Sequence, residues 1–592
     1  MDKKLIGKAG KDYIRNELSA RDPKEVVNEL QSKHGLKLRH ITDVYPLLDL
    51  HKKSRLEVHS ACLHALVQAM IDKIDTSEDP SNKYEKLLAE TTPYLGVGPL
   101  QRIPIALLSK YPDLASDEEL RDMVQNADIF DACPMAMKRR IWKADLALFQ
   151  QHMLTLLNNY HHDEHLQLIS RDMRVGGVVA MIRDRRQHPI VEAILDRIGE
   201  DTTIYSMFLD FIRLVFDATP YPSVCTLRFD LLMALHEREF KDVYRIDGAH
   251  NLAWTLDACI RNQVLDDSRL QNLKDSLSEF QNMKRYSPVY GDVAMILMDP
   301  TASNLFSAYI LEKLRTFVDK APRASAMEPV KLVADLINLG ANAKNIMENE
   351  LKKAPKLDTA KHDRFWKIMI GMLADDNKSE RRSELSTDQA STINGVLGEE
   401  EVCRKVYLQY VLDAATNLDI LSLARSLPPI LDHFPPLSAS VLHTFGYESF
   451  FQTFMDIIRR MHLPSLLTKP EVAKVIMEDF LVPATRWSWF VHEHVVQLFI
   501  DCFDTRVIGH PGNAGESVRQ VGVWAEKTCQ TGAKNDEKHM DNLYSLYRAL
   551  IEQSHNIYDG HVKIAPPGVM DFLRNDDNLE EVEEEAEIME EG

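Results

Sequence analysis

The residues best suited to bind a metal ion lie between His161 and His165. These two histidines are four positions apart, which places them on one face of a helix, and His162, Asp163 and Glu164 lie between them as further ligand types. A zinc site takes three or four such ligands, and the pair has no clear third one. A solvated polar segment is therefore the better interpretation, and no metal is expected.

Two other short patterns resemble parts of chemical motifs but lack what the chemistry needs. Zinc hydrolases place a second histidine one helical turn after the first, whereas His492 has Val496 at that distance. A phosphate-binding loop needs an early glycine and a hydroxyl after its lysine, and segment 7–12 (GKAGKD) has neither. The sequence also has no Gly-x-Ser-x-Gly nucleophile elbow. It therefore predicts a protein that is not an enzyme and that uses no cofactor.

Two basic clusters are suited to contact RNA phosphates or a polymerase surface. The first cluster consists of Lys138, Arg139, Arg140 and Lys143, beside Trp142. The second cluster consists of Arg171, Arg174, Arg183, Arg185 and Arg186. Each also has a plainer interpretation as the solvated face of a helix, with Trp142 turned into the core. Both interpretations stay open at this stage.

Half of the net charge of −20 lies in the last 22 residues of the chain. Segment 571–592 holds eleven acidic residues and a single base, Arg574. Such a run repels itself and cannot bury apolar surface, so it is predicted to be a disordered tail. The tail is interpreted as a solubilising terminus, or alternatively as a segment that competes with RNA for a basic surface.

Helices must position all of these side chains. The chain has 592 residues, of which 45% are apolar, with only 23 glycines and 26 prolines. Leu227, Leu231 and Leu235 recur at a spacing that keeps them on one helix face, and the same pattern appears throughout the chain. Prolines at 220, 222 and 300 separate such segments. The prediction is an all-α, irregular HEAT-like array, or α-solenoid.

The predicted domains follow from composition. Large apolar residues almost vanish over 375–401, which is interpreted as a flexible linker. It would separate an N-terminal helical lobe, 1–374, from a C-terminal helical lobe, 402–570, with the acidic tail at 571–592. The seven scattered cysteines indicate reduced thiols of an intracellular protein. Neither a signal peptide nor a membrane-spanning segment is expected.

Several segments closely resemble the family of the B subunit of the negative elongation factor, also described as the cofactor-of-tumour-suppressor family. The resembling segments are 46–51 (PLLDLH), 55–59 (RLEVH), 138–142 (KRRIW), 147–149 (ALF), 225–236 (CTLRFDLLMALH), 254–261 (WTLDACIR) and 291–300 (GDVAMILMDP). They occur in the family's order and at similar spacing. The acidic tail differs from the proline- and alanine-rich end of familiar members.

The resemblance implies a nuclear, non-catalytic scaffold in a four-subunit complex. Family members bridge NELF-C/D, which is grouped with NELF-A, to NELF-E. The complex acts with the DSIF factor to stabilise promoter-proximal pausing of RNA polymerase II, and it also contacts nascent RNA. A generic HEAT-type adaptor in another intracellular assembly is the alternative.

The family-like segments are expected to be chiefly structural. The residues concerned are Leu47, Leu50, His51, Leu56, His59, Trp142, Leu227, Arg228, Leu231, Leu235, Trp254, Asp257, Asp299 and Pro300. Within this set, the leucines of 225–236 need a neighbouring helix to pack on. Arg228, together with Asp230, is expected to pair with an adjacent helix.

Overall fold

The fold is helical throughout the part of the chain that a computed structural model describes. The described residues are 12–13, 16–17, 20–34, 55–76, 82–91, 98–111, 130–131, 133–163, 166, 178–240, 242–282, 287–318, 324–376, 384–433, 441–481, 484, 494–495 and 498. Every regular element among them is a helix, so the predicted all-α class is confirmed. None of these helices combines the length and apolar character needed to cross a membrane.

The chain divides into two compact units, Met1–Leu154 and Thr155–Gly592. Helices of the first unit are α1 (Pro23–His34), α2 (Arg55–Thr76), α3 (Asn82–Thr91), α4 (Gly98–Lys110), α5 (Met135–Ala144) and the start of α6 (Leu146–His162). Helix α4 packs against both α2 and α3. Val67 and Ile74 of α2 and Leu107 of α4 are buried, so apolar contacts hold these helices together.

The second unit begins with a group of helices around α10. In chain order they are α7 (Val178–Arg186), α8 (Pro189–Ile198), α9 (Thr202–Ala218), α10 (Pro222–Glu237), α11 (Val243–Ile246), α12 (His250–Asn262), α13 (Asp267–Gln281), α14 (Pro288–Leu297) and α15 (Pro300–Arg315). Helix α10 begins with Pro222, whose missing N–H would have no intrahelical acceptor in any case.

The second unit continues with a further group of helices. They are a 3₁₀ turn (Ala324–Met327), α16 (Glu328–Ala341), α17 (Ala343–Glu348), α18 (Thr359–Asp376), α19 (Thr387–Glu399), α20 (Glu401–Thr416), α21 (Ile420–Leu431) and α22 (Val441–Ile457), then a π-helical turn (Ile458–His462), α23 (Leu463–Thr468), α24 (Pro470–Ala473) and a π-helical segment (Lys474–Leu481). Helix α20 packs against α15, α21 and α22.

Helix α10 is the most enclosed element of the second unit. It packs against α7, α8, α9, α12 and α14, so it meets neighbours on every side. Leu227, Leu231 and Leu235 are buried as predicted, but Arg228 and Asp230 on the other faces are equally buried. A helix enclosed on all sides must pair its polar side chains with other helices, because water cannot satisfy them.

The predicted flexible linker over 375–401 is wrong for residues 387–399, which form helix α19. Ser386 Oγ accepts a hydrogen bond from the Gln389 N–H, and the Gln389 side chain accepts one from the Ser386 N–H, which caps the helix. Ile393, Val396 and Leu397 are buried along one side of the helix. Three apolar residues at helical spacing therefore suffice to pack a segment that is otherwise polar.

The predicted lobe boundary is wrong for the same reason. Helix α18 continues to Asp376 and packs against α19, and α20 begins at Glu401 and packs against α15. The helices before and after the supposed linker thus pack together within the compact unit Thr155–Gly592. The predicted acidic tail, 571–592, lies outside the described residues.

Candidate interaction surfaces

The first basic cluster lies on helix α5 with its apolar partners turned inward. Met137, Ile141 and Trp142 of this helix are buried. Lys143 is exposed, and the other three bases are partly exposed. The cluster is therefore at the surface, and Trp142 belongs to the core, as the plainer interpretation predicted.

Local contacts orient two members of this region. Trp142 Nε1 donates a hydrogen bond to His152 Nδ1 over 3.0 Å. Lys138 Nζ donates to the Asp131 carbonyl oxygen over 2.8 Å and lies 5.4 Å from the centroid of the Phe130 ring. These contacts fix the indole in the core and place the Lys138 ammonium over an aromatic face.

The second basic cluster is divided between surface and interior. Arg171 and Arg174 lie outside the described residues. The side chain of Arg183 is 63% exposed, whereas those of Arg185 and Arg186 are 2% and 3% exposed. Neither buried guanidinium can reach a phosphate, so the prediction that Arg185 and Arg186 contact RNA or polymerase is wrong.

Arg185 and Arg186 instead hold helix α7 to helix α10. Arg185 Nε donates to Asp230 Oδ2 over 2.7 Å, and Arg186 Nε donates to Asp230 Oδ1 over 3.1 Å. Arg186 also donates to Glu237 over 2.7 Å and to Asp257 over 2.5 Å. One buried carboxylate thus binds two guanidinium groups, and Arg186 extends the network to helix α12.

The carboxylates keep these two arginines charged despite their burial. Burial alone would lower the pKa of Arg185 and Arg186, because removal from water disfavours the charged form. Asp230 and its neighbours outweigh that effect and raise the pKa of both side chains above the ordinary arginine value. Both guanidinium groups therefore stay charged in the interior.

A second buried network connects helices α9, α10 and α14 with the segment before α12. Arg228 Nη2 donates to Asp247 Oδ2 over 2.5 Å, and the Tyr205 hydroxyl donates to the same oxygen over 2.6 Å. Arg213 donates to both oxygens of Asp292, over 2.9 and 2.6 Å. Arg228 and Asp230 therefore both pair with neighbouring elements, as the sequence predicted.

Asp299 completes this set of buried polar groups. It caps helix α15 by accepting hydrogen bonds from the Thr301 and Ala302 N–H groups over 2.9 and 3.2 Å. Its other oxygen accepts from the Thr226 hydroxyl of α10 over 2.7 Å. Pro300 occupies the first turn of α15. The predicted structural roles of Asp299 and Pro300 rest on this cap.

Trp254 differs from the other described residues of the family-like segments with predicted structural roles, because its side chain is exposed. Its side chain lies on helix α12 and is 56% exposed, while Leu256 two positions later is fully buried. Its ring lies 6.3 Å from that of His236, and His236 Nδ1 lies 3.0 Å from His250 Nε2. Helix α12 turns its buried face, including Asp257, toward α10, which leaves Trp254 on the outer side.

Five further residues of the family-like segments have predicted structural roles. Leu47, Leu50 and His51 lie outside the described residues, as do the side chains of Leu56 and His59. Five cysteines are described, Cys62, Cys133, Cys225, Cys259 and Cys403, and all are buried and free. Burial raises the pKa of each of these thiols, to about 11 for Cys259, so they are poor nucleophiles.

The histidine-rich segment ends helix α6 without assembling a metal site in the described part of the chain. The His161 ring lies 4.8 Å from the Tyr221 ring, and the Asp163 carboxylate lies 3.7 Å from His188 Nε2. His165 lies outside the described residues. Ring contacts thus involve His161, and a polar contact to the residue that precedes a neighbouring helix involves Asp163.

Comparison with known proteins places these features in a family. Residues 99–432 match the family model described as Cofactor of BRCA1 (COBRA1). The matched range contains the first basic cluster and the buried networks around α10.

Similar curated proteins extend the likeness along most of the chain. Negative elongation factor B of Mus musculus is 24% identical over 86% of this chain and 91% of its own length. The Homo sapiens protein of the same name is 24% identical, covering 92% of this chain and 93% of its own length. The Drosophila melanogaster protein is 27% identical over 76% and 80%. The family model also matches more than half of the length of this chain, so the chain belongs to the Cofactor of BRCA1 (COBRA1) family.

Proposed function

We propose that this chain is a non-catalytic scaffold subunit of a negative elongation factor complex. The observation that carries this proposal is the extent of the similarity, which covers 86% of this chain and 91% of the mouse negative elongation factor B. Likeness over nearly whole chains favours the same assembly rather than a shared module. The interior use of Arg185 and Arg186 agrees with a structural role for conspicuous charged residues.

In this assembly the chain bridges NELF-C/D, together with NELF-A, to NELF-E. The resulting hetero-tetramer acts with DSIF in the nucleus and helps to stabilise promoter-proximal pausing of RNA polymerase II. A helical array supports such a role, because the grooves between successive helices accept helices or extended segments of a partner.

Co-expression with the NELF-C/D and NELF-E subunits of the same organism tests the bridging role. We expect the three chains to co-elute at constant stoichiometry in size-exclusion chromatography, because each partner occupies a separate surface of the array. NELF-C/D and NELF-E expressed together without this chain are the control, and they are expected to elute separately.

Two outcomes would contradict the bridging proposal. If the two partners co-elute in the control, this chain is not needed to connect them. If this chain elutes alone while both partners stay soluble, the generic HEAT-type adaptor becomes the better assignment.

The surface position of the first basic cluster supports an additional contact with nascent RNA. Lys138, Arg139, Arg140 and Lys143 lie on one short helix whose other side is anchored by the buried Trp142. The buried Trp142 fixes the direction of the helix, so its basic side chains can contact successive phosphates without a large loss of conformational entropy on binding. Arg185 and Arg186 are no part of this contact, because they are internal.

Replacement of all four bases of the first cluster with Gln is expected to weaken RNA binding and reduce its salt dependence. Each lost phosphate contact lowers the slope of log K against log salt by ~0.7 for single-stranded RNA, so the slope should fall by roughly 2 to 3. Fluorescence anisotropy with a labelled single-stranded RNA at several salt concentrations measures this slope.

A matched variant separates a local contact from general charge. Four exposed lysines of the second unit, replaced with Gln, remove the same total charge: Lys352, Lys353, Lys356 and Lys367. We expect the slope of log K against log salt for this variant to differ from the wild-type slope by no more than the change that about half of one phosphate contact would cause. Equal losses in the two variants would show that the first cluster has no special role.

A further inference from the structure

A cavity of about 430 Å³ lies within the second compact unit, beside helix α20. Its walls come from the start of α15, the end of α16, the α19–α20 junction and one side of α22. This volume lies within the range of pockets that hold small ligands.

Lys405 of helix α20 lines this cavity, and no carboxylate lies within hydrogen-bond distance of its amine in the described residues. Its side chain is 24% exposed, so reagents can reach it. The nearest carboxylate oxygen is Glu401 Oε1, 3.7 Å from Nζ, and the described residues supply no hydrogen-bond acceptor for Nζ. Glu401 itself is in close contact with the guanidinium of Arg404. The Lys405 ammonium therefore shares its nearest counter-charge with a neighbouring cation.

The other charged groups around the cavity are already engaged. Glu399 lies 2.5 Å from Lys361 Nζ, and Glu400 lies 3.3 Å from His362 Nε2. Asp299 is fully buried and accepts hydrogen bonds in the cap of α15. Helices α16 and α22 contribute uncharged polar residues to the wall, namely Asn338, Asn342, Ser449 and Thr453.

These surroundings favour the neutral amine. Burial lowers the pKa of Lys405 to about 8, and the neighbouring Arg404 guanidinium lowers it as well, while Asp299 acts weakly in the opposite direction. Removal from water beside a second cation is the arrangement that makes a lysine nucleophilic near neutral pH.

We propose that Lys405 is a modification site at which the amine in this cavity is acylated by small acyl thioesters. The Nζ lone pair attacks the thioester carbonyl carbon, the carbon–sulfur bond breaks, and the sulfur leaves as a thiolate. The proton lost from Nζ passes through Glu401 or water to that thiolate. The products are a lysine amide and a free thiol, with no oxidation or reduction.

The acylated state also suits the cavity. An amide is neutral, so acylation removes the repulsion between Lys405 and Arg404. Glu401 keeps its contact with Arg404, so acylation does not leave its carboxylate unpaired. A cavity of about 430 Å³ has room for a short acyl chain without displacement of the helices around it.

The proposal is tested by exposing the full-length chain to the acetyl thioester of N-acetylcysteamine and following each lysine by peptide mass spectrometry. At about pH 7.5 an ordinary lysine is ~0.1% neutral, whereas an amine with a pKa near 8 is roughly a quarter neutral. Allowing for the lower nucleophilicity of a weaker base, we expect Lys405 to react at least roughly tenfold faster than exposed Lys353 and Lys356.

Three controls assign this excess to the folded cavity. Near pH 10.5, where ordinary lysines also become neutral, the rate ratio should fall to about one or below. In concentrated guanidinium chloride the ratio should also approach one, because the surroundings of Lys405 are lost. Replacement of Arg404 with Gln should reduce the ratio severalfold at neutral pH.

The rates in the unmodified sequence decide the proposal even if the Arg404 variant fails to fold. Equal or slower acylation of Lys405 than of Lys353 and Lys356 at about pH 7.5, in protein with intact helical circular dichroism, would overturn it. A ratio that persists in denaturant would overturn it too, since local sequence would then be the cause. Neither result would affect the proposed scaffold function, which depends on partner assembly.

Discussion

Replacement of Asp230 with Asn is expected to lower the free energy of unfolding by about 3–5 kcal/mol. Asp230 is 1% exposed and is the common acceptor for Arg185 and Arg186. Asn has nearly the same shape, so the substitution removes the negative charge while it leaves the packing almost unchanged. The effect therefore reports on electrostatics rather than on a cavity.

The large magnitude follows from what the substitution leaves behind. Arg186 retains Asp257 and Glu237, but the described residues provide Arg185 with no carboxylate contact besides Asp230. One Arg185 nitrogen, Nη1, is already buried without a hydrogen-bond partner in that part of the chain. A buried guanidinium without its counter-charge is far more costly than the loss of an exposed ion pair.

Urea denaturation followed by far-UV circular dichroism measures this loss. The matched control is Asp210→Asn, which removes the same charge from a carboxylate that is 75% exposed and paired with Arg213. We expect the control to change the unfolding free energy by no more than about 0.5 kcal/mol. If the Asp230 variant were as stable as the Asp210 variant, the buried network would not hold α7 to α10.

Replacement of Gly340 with Ala is expected to destabilise the chain by about 1–3 kcal/mol. Gly340 lies near the end of helix α16, where that helix crosses α14. A Cβ at this position would lie 2.7 Å from both the carbonyl carbon and oxygen of Leu297, and 2.9 Å from the Met298 nitrogen. These are backbone atoms, so no side-chain rotation can relieve the clash and the helices must separate.

The opposite sign is expected for Gly371→Ala in helix α18. A Cβ added there would meet no atom within 4 Å, so alanine contributes its higher helix propensity without a steric cost. We expect stabilisation of up to about 1 kcal/mol. Thermal melts of the two variants give a direct comparison, and destabilisation by both would indicate that helix crossing is not the cause at Gly340.

The helical elements could largely be predicted from local sequence. Leu227, Leu231 and Leu235 have helical spacing, and Pro222 fits the first turn of α10, so the element is visible without its neighbours. The spacing of Ile393, Val396 and Leu397 likewise predicts helix α19. Large apolar residues are so few over 375–401 that average composition indicates a linker and hides this periodicity.

The surface chemistry depended on contacts that local sequence cannot supply. Arg183, Arg185 and Arg186 are the same residue type within one short segment. Arg185 and Arg186 are nevertheless buried, because they form ion pairs with carboxylates 44 to 71 positions away. Trp254 is apolar, yet the orientation of α12 toward α10 leaves it outside. Charge and hydropathy describe a side chain, whereas burial depends on which helices surround it.

The sequence by itself determined the all-α class, the apolar helix faces and the family resemblance, because these depend on periodicity and residue order. Only the tertiary structure decided which charges are internal and which remain available to ligands. Asp230 and Lys405 illustrate the difference, since each acquires its chemistry from groups on other helices or from a cavity wall. Long-range packing sets the dielectric surroundings and counter-charges of a side chain, and these are not encoded in its immediate neighbours.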